Sequence, residues 1–439
     1  MAQTGPASLA NADLRAPKII KRNMTLFVLS QSFNGAGVQL AYGFGPLMVI
    51  ALTGSASLAG LIVGIFGVSR FLVAYTAGRI TDRYGRRPGI LLGQILSLIG
   101  GVSIGSSMIF DSFTIFVVGL VIFGMGMSAA QQLRVAATDM FPPQRRAEAL
   151  GYLALGSVIG LLVTPALVTV TEPLAADIGL PHLVVPWLAL PLLVIPGMIL
   201  VYFVRPDPKE IGMNLERYYP GYKAPPKPAG ERPTFKPISL FQNPETRLAI
   251  ISNCAANGNM SIVMVLTSLV LSHHGHSLPA IAFSHMFHSA GMFAFTIPLG
   301  RLSDRLGRQK VMFTGVGVAL VGATLVALTD GFYVTVTLGT FLVGLGWAAA
   351  NVSATALIAD RVETQERGRA IGVNDSFAGA ISVVMALATG PLIQTWGLPA
   401  AGLLAVTVAA PPLLMRMAMR GELARSRSRA VASQPAASD

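Results

Sequence analysis

Four residues in the second half of the chain carry the most specific chemistry. Met260 and Met264 are four apart, and so are His288 and Met292. That spacing sets each pair on one face of a helix. Thioether sulfur with imidazole nitrogen is a soft donor set that suits Cu(I). Depth is compatible: at ~1.5 Å per residue, Met260 stands roughly 20 Å from the basic end of its helix and His288 roughly 17 Å. His273, His274 and His276 lie between the two pairs, placed to gather a metal ion. Other readings compete. Methionine is an ordinary filler of apolar helices, and the chain has 18. His285 and His288 could instead carry protons.

Two cations, Arg70 and Arg134, interrupt apolar stretches. Charge inside a bilayer is costly, so each is expected to serve a function. Arg134 follows Gln131 and Gln132 and precedes Asp139, the end of its stretch. The first apolar stretch is unusually polar, with Gln31, Ser32, Asn34, Gln39 and Tyr42; the seventh adds Asn253, Asn257 and Asn259. Such groups suit a water-filled cavity, or they bond helix to helix.

The elements that must hold these residues are membrane spans. The chain has 439 residues, 53% of them hydrophobic and only 12% charged, where a soluble domain carries about a quarter. A bilayer core needs roughly 20 apolar residues. Runs of that kind fall near 25–51, 56–77, 89–109, 113–138, 149–171 and 185–204, then near 247–271, 279–299, 311–328, 333–358, 370–393 and 398–417. The expected division is a tail at 1–24, a six-helix bundle at 25–204, a Pro- and Lys/Arg-rich linker at 205–246, a second bundle at 247–417 and an unstructured tail at 418–439. The basic run before the first span, with no short core and cleavage site, reads as a retained first helix. One cysteine, Cys254, excludes a disulfide framework.

Charge position sets the topology. Thirty of the 32 Lys and Arg fall on one side of these spans, and the opposite loops hold none. The positive side faces the cytoplasm, so both termini are expected there, in the cell membrane. The net charge of +12 is thereby a topology signal and does not point to nucleic acid. A phosphate-binding GxxxxGK[ST] loop is absent, which argues against ATP-driven pumping. No nucleophile–base set or zinc motif marks an enzyme, and no cofactor is expected.

The halves repeat. Gly78-Arg-Ile-Thr-Asp82-Arg83-Tyr-Gly85-Arg86-Arg87 matches Gly300-Arg-Leu-Ser-Asp304-Arg305-Leu-Gly307-Arg308 at an offset of 222, and Asp139 matches Asp360 at 221. A duplicated six-helix set places a substrate path between repeats. The two loops resemble the signature loop of the major facilitator superfamily, in a 6+6 layout over nearly the whole chain. The resemblance implies an all-α membrane fold: twelve transmembrane helices in two six-helix bundles with pseudo-two-fold symmetry. It implies alternating access, with small-molecule or ion cargo, protons as coupling partner and a monomer in the lipid bilayer.

Carried onto this sequence, the resemblance makes Asp82, Arg83, Arg86, Asp304, Arg305 and Arg308 a latch between the halves, with Asp139 and Asp360 nearby; topology anchoring by positive charge is the alternative. It pairs Arg70, about 12 Å from Gly78, with Asp375 at similar depth in span eleven. It links Arg134 to substrate or proton coupling, and makes Gln31, Asn34, Gln39, Tyr42, Gln131, Asn253 and Asn257 cavity lining. The stretch Met260–Met292 is similar to the CcoA-like copper importers, whose MxxxM and HxxxM motifs fall on Met260, Met264, His288 and Met292. The same His288–Met292–Phe293 pattern resembles relatives that carry riboflavin. The GP-x-x-GG element of drug antiporters is missing from the fifth span, where Gly156–Pro165 stands instead. The expected function is therefore secondary transport of a small solute, with copper(I) import, drug or metabolite efflux, and a non-transporting sensor as alternatives.

Overall fold

A computed structural model describes residues 16–220, 222, 236–329, 331–362 and 366–432. No strand occurs among the described residues. In hydrocarbon every backbone N–H and C=O must be satisfied within the segment, so long apolar runs become helices. In chain order these are α1 (Lys18–Thr53), α2 (Leu61–Tyr84), α3 (Arg86–Ile109), α4 (Phe113–Ala130), α5 (Gln132–Asp139), α6 (Arg146–Gly160), α7 (Val163–Asp177), α8 (Val185–Leu188) and α9 (Pro191–Tyr202). Short helices α10 (Pro208–Met213), α11 (Leu215–Tyr218) and α12 (Ser239–Gln242) follow. The second half holds α13 (Pro244–His273), α14 (Leu278–Phe293), α15 (Thr296–Leu306), α16 (Arg308–Leu328), α17 (Tyr333–Arg361), α18 (Arg367–Trp396) and α19 (Leu398–Ala432).

Eleven stretches among the described residues are long and apolar enough to cross a membrane, counting α4–α5, α6–α7, α8–α9 and α14–α15 as one each. The twelfth expected span is α2, a 24-residue helix interrupted by Arg70. The apolar run of that span, Ala56–Ser69, begins in the turn before α2. α19 runs on through Ala432, into the stretch whose composition reads as a tail.

The chain divides into two units. One comprises Met1–Gly54, Gly64–Pro233 and Leu278–Met286; the other comprises Ser55–Val63, Thr234–Ser277 and Phe287–Asp439. The short segment Ser55–Val63 is anchored within its unit. In the second unit, Gln394 Oε1 accepts from Ser57 N–H at 2.9 Å and from Ser55 Oγ at 2.8 Å.

Two helix breaks have a simple cause. Proline cannot donate to the carbonyl four residues before it. α6 stops before Leu161 and α14 before Ala294, each four residues ahead of a proline, Pro165 and Pro298. The break between α4 and α5 has no such proline. There Arg134 N–H donates to Gln131 O at 3.0 Å, an i→i+3 bond of the tighter 3-10 kind.

Glycine spacing explains that break. A Cβ on Gly93, Gly100 or Gly126 would fall 2.6, 2.3 or 2.3 Å from the facing backbone, so α3 and α4 touch main chain to main chain. Gly315, Gly322 and Gly346 do the same for α16 and α17, at 2.7, 2.5 and 2.5 Å. Gly93 and Gly100 precede their counterparts by 222, but Gly126 precedes Gly346 by 220. Gly126 to Asp139 is thus 13 steps, against 14 from Gly346 to Asp360. Fourteen α steps rise about 21 Å; ten α steps plus three at the 3-10 rise of ~2.0 Å give about the same. The tightened turn lets the shorter copy span the same depth.

The first part of the expected linker is not a free connector. Ile211, Leu215 and Tyr219 are buried in one apolar cluster with Ile20, Met24, Phe27, Met140 and Phe141. Tyr219 donates its hydroxyl proton to Met140 O at 3.0 Å. Burial raises the Tyr219 phenol pKa well above its ordinary value.

Candidate functional site

The repeated loops build the same ion-pair triad once in each unit. In the first, Arg86 reaches Asp82 Oδ1 at 2.9 Å and Asp139 Oδ2 at 2.8 Å. In the second, Arg308 pairs with Asp304 and reaches Asp360 Oδ2 at 3.2 Å. The turn before each arginine needs a glycine: φ is +106° at Gly85 and +95° at Gly307, a region that side chains disfavour. Arg83 and Arg305 stand outside the triads and are exposed; Arg83 lies over the Tyr84 ring at 5.4 Å.

The copies differ in cover. The Asp139 side chain is 23% exposed and its counterpart Asp360 is 52% exposed. The segment after α9 makes the difference. Asp207 accepts from the N–H groups of Arg86 and Arg87, both at 3.0 Å, and from Lys209 N–H at 2.9 Å. It thereby caps α3 from outside that helix, where the dipole favours an anion. Gly212 packs on Asp139. At the matching turn after Gly307, no side chain among the described residues takes the place of Asp207. Asp207 was not marked by the sequence pattern, because its partner is 121 residues away.

The second unit contains a chain of uncharged polar groups on α13, α17 and α18. Trp347 Nε1–H donates to Asn257 Oδ1 at 3.0 Å. Asn257 Nδ2 donates to Asn253 Oδ1 at 3.1 Å, and Asn351 Nδ2 to the same oxygen at 3.0 Å. Ser382 Oγ adds a bond to Asn257 O at 3.3 Å. Asn253 is fully buried, and its Nδ2 has no partner. Asn253 and Asn257 were expected; Trp347, Asn351 and Ser382 join them. The glycine offset of 220 is the signal that finds Asn351, since it pairs Asn351 with Gln131. Asn259 faces away and donates to Ala405 O at 2.9 Å, a tie to α19.

His288 lies in the same unit, 1% exposed. Its Nδ1 is 2.8 Å from Thr340 O, and a carbonyl only accepts, so Nδ1 carries the proton. Nε2 is left without a partner. Thr340 spends its own proton on Val336 O at 2.7 Å, so Thr267 is the donor in the 2.9 Å contact between the two threonines. α13, α17 and α14 are thus stitched at Thr340. Met264 is buried, while Met260 and Met292 are half-buried. No group of three or more His, Cys, Asp or Glu fit to hold a metal occurs among the described residues.

The remaining expected residues are scattered. Gln31 Nε2 donates to Ser157 Oγ at 3.1 Å. Gln39 is half-buried, and Tyr42 stacks on Phe66 at 5.6 Å. Gln131 and Arg134 are exposed at the α4–α5 break. Asp375 is exposed and accepts from Asn374 Nδ2 at 3.1 Å. The side chains of Asn34 and Arg70 lie outside the described residues, and the expected Arg70–Asp375 pair lies there with them.

Comparison with known proteins agrees with this layout. Residues 27–241 and 248–437 match the family model described as Major Facilitator Superfamily. The uncharacterized MFS-type transporter YdeG of Bacillus subtilis (strain 168) is 29% identical over 81% of this chain and 82% of its own length. The riboflavin transporter RfnT of Brucella anthropi is 26% identical over 92% of this chain and 98% of that one. Among solved structures, a bacterial homologue of the human lysosomal transporter Spinster, inward-facing and unoccupied, covers 91% of this chain and 93% of its own. It does so with a TM-score of 0.63 at 17% identity.

Proposed function

The chain belongs to the major facilitator superfamily, and from that premise we propose that it carries a small uncharged organic solute across the cell membrane by alternating access, coupled to protons. Membership makes it a multi-pass secondary transporter of small molecules and not an enzyme. One observation carries the choice of cargo: the linked groups Trp347, Asn257, Asn253, Asn351 and Ser382 bear no charge. A charged solute leaving water needs a countercharge; carboxamides, a hydroxyl and an indole offer only neutral donors and acceptors. RfnT, similar over nearly its whole length, has riboflavin in its name, so riboflavin is the first solute to test. The twin triads support alternating access, since each braces the loop end of its own unit. Asp375 on α18 and the imidazoles His285 and His288 on α14 supply groups that can exchange a proton. The charge asymmetry supports a cytoplasmic location for the basic loops.

The test is uptake of radiolabelled riboflavin, nucleosides and neutral sugars by proteoliposomes under an imposed proton gradient. Accumulation of one of them above the external concentration, lost in Asn257→Leu, is expected. Uptake no greater than in empty liposomes for every uncharged solute would sink the reading.

A second reading, copper(I) as cargo, is favoured by the bare Nε2 of His288. A histidine that presents one nitrogen to a metal commonly donates the other to a carbonyl. Saturable Cu(I) uptake abolished by His288→Ala is its expected signature. Uptake indifferent to that change would exclude it.

A further inference from the structure

We infer that Asn253 and Asn351 form a subsite for the cis-amide edge of a planar heterocycle, a ring C=O adjacent to a ring N–H. The inference rests on the uncharged-cargo reading above and specifies the chemistry of that cargo.

The argument follows the direction of the hydrogen bonds. Indole N–H is a donor and nothing else, so Asn257 must turn its oxygen toward Trp347. Its NH2 then points to Asn253, whose backbone carbonyl and Oδ1 both accept it. Asn351 donates to that same oxygen. Asn253 is therefore held with its oxygen doubly used and its NH2 turned away from the network. That NH2 is wholly buried with no partner. Reversing the Asn253 amide would set its NH2 against two other NH2 groups, so the orientation is determined.

A stranded NH2 is unusual here. Among the described residues, five other carboxamides bury an unpaired atom: those of Asn23, Gln39, Gln94, Asn259 and Asn374. In each the atom is an oxygen. Carbonyl oxygens have two lone pairs and are more often left under-satisfied than N–H groups. A network built only to tie helices together closes on itself. This one ends in a buried donor at Asn253, with an acceptor on the half-buried Asn351, whose nitrogen alone is used. Donor and acceptor belong to adjacent carboxamides joined by a single bond. The complement of that pair is an acceptor next to a donor, which is the edge of a lactam or imide. The half-buried Trp347 indole on the same helix face, four residues from Asn351, supplies an aromatic surface for the ring.

The test measures binding to the purified full chain by calorimetry. The probes are lumiflavin with 3-methyllumiflavin, and uridine with 3-methyluridine, each methyl group replacing the edge N–H. Glucose serves as a neutral solute without that edge. The parent of at least one pair is expected to bind, with methylation weakening it roughly tenfold or more. Equal binding of parent and methylated forms overturns the subsite. Binding of glucose alone overturns it too, while leaving the uncharged-cargo reading intact; binding of no uncharged probe removes both. Asn351→Leu removes the acceptor assigned to the edge N–H. The preference for parent over methylated probe should then fall several-fold. An unchanged preference would overturn that assignment.

Discussion

Asp207 is the residue whose removal tests the structure most directly. Its carboxylate accepts two N–H groups at the start of α3 and one at the start of α10. A lost helix cap costs about 0.5–2 kcal/mol, and a lost anion at a helix N-terminus about 0.3–1 more. Two helices lose their cap at once in Asp207→Ala, so the expected cost is about 2–3 kcal/mol. Asp207→Asn keeps one acceptor oxygen and should cost roughly half as much. For a unit of this size the alanine change corresponds to roughly 4–12 °C in apparent Tm. Unfolding in detergent is best compared at one fixed scan rate, because the transition is often irreversible. Glu210→Ala, three residues on and exposed, is the matched control and should move Tm little. Hydrogen exchange supplies a local readout: the Arg86 and Arg87 amides should lose protection in Asp207→Ala. If the alanine variant melts with the Glu210→Ala control, or those two amides stay protected, the capping argument is wrong.

Four further outcomes follow from the geometry. Gly85→Ala and Gly307→Ala both force a side chain into positive φ, but only at Gly85 would the new Cβ strike a neighbour, Asp207 Oδ2 at 2.6 Å; thermal denaturation should rank Gly85→Ala clearly lower. Arg86→Lys should reduce stability and transport more than Arg308→Lys, because lysine cannot hold two carboxylates in a fork and the first triad is the better covered. Tyr219 stays neutral in the fold where the unfolded phenol ionises, so its stabilising contribution is complete below about pH 10 and fades above it. Tyr219→Phe should cost about 1 kcal/mol at neutral pH and flatten the alkaline loss of stability. One alanine inserted between Gln131 and Gln132 restores the 14-step count of the second half; it should be tolerated better than the same insertion after Leu120, as measured by yield of folded protein.

Much of the fold was legible because a bilayer imposes one length and one polarity on every span, and because the loops repeat. The Asp82–Arg86–Asp139 and Asp304–Arg308–Asp360 sets could be named from offsets of 221 and 222. What the pattern could not convey is which carboxylate meets which arginine. Asp139 takes Arg86 from its own unit, a choice made by helix-end geometry. The docked stretch from Arg205 to Tyr219 was hidden for a different reason. Its prolines and charges read as a linker, and its apolar residues Ile211, Leu215 and Tyr219 are too few to show a period.

The carboxamide network was half legible, and the missing half has a physical cause. The loop offset of 222 aligns Asn253 with Gln31, two carboxamides that the polar character of spans one and seven already exposed. Applied to α17, the loop offset sets Asn351 against an alanine and conceals it. The glycines that bring α3 to α4 and α16 to α17 demand 220 instead, and then Asn351 stands against Gln131. Each half therefore places one carboxamide at the 31/253 position and one at the 131/351 position. In the first unit Gln31 bonds Ser157, and Gln131 sits exposed at a tightened turn. In the second unit α17 runs unbroken and Asn351 meets Asn253. The single residue missing from the first copy separates a helix that bends at its carboxamide from one that holds it in line. That difference in backbone puts the joined pair in the second unit alone among the described residues.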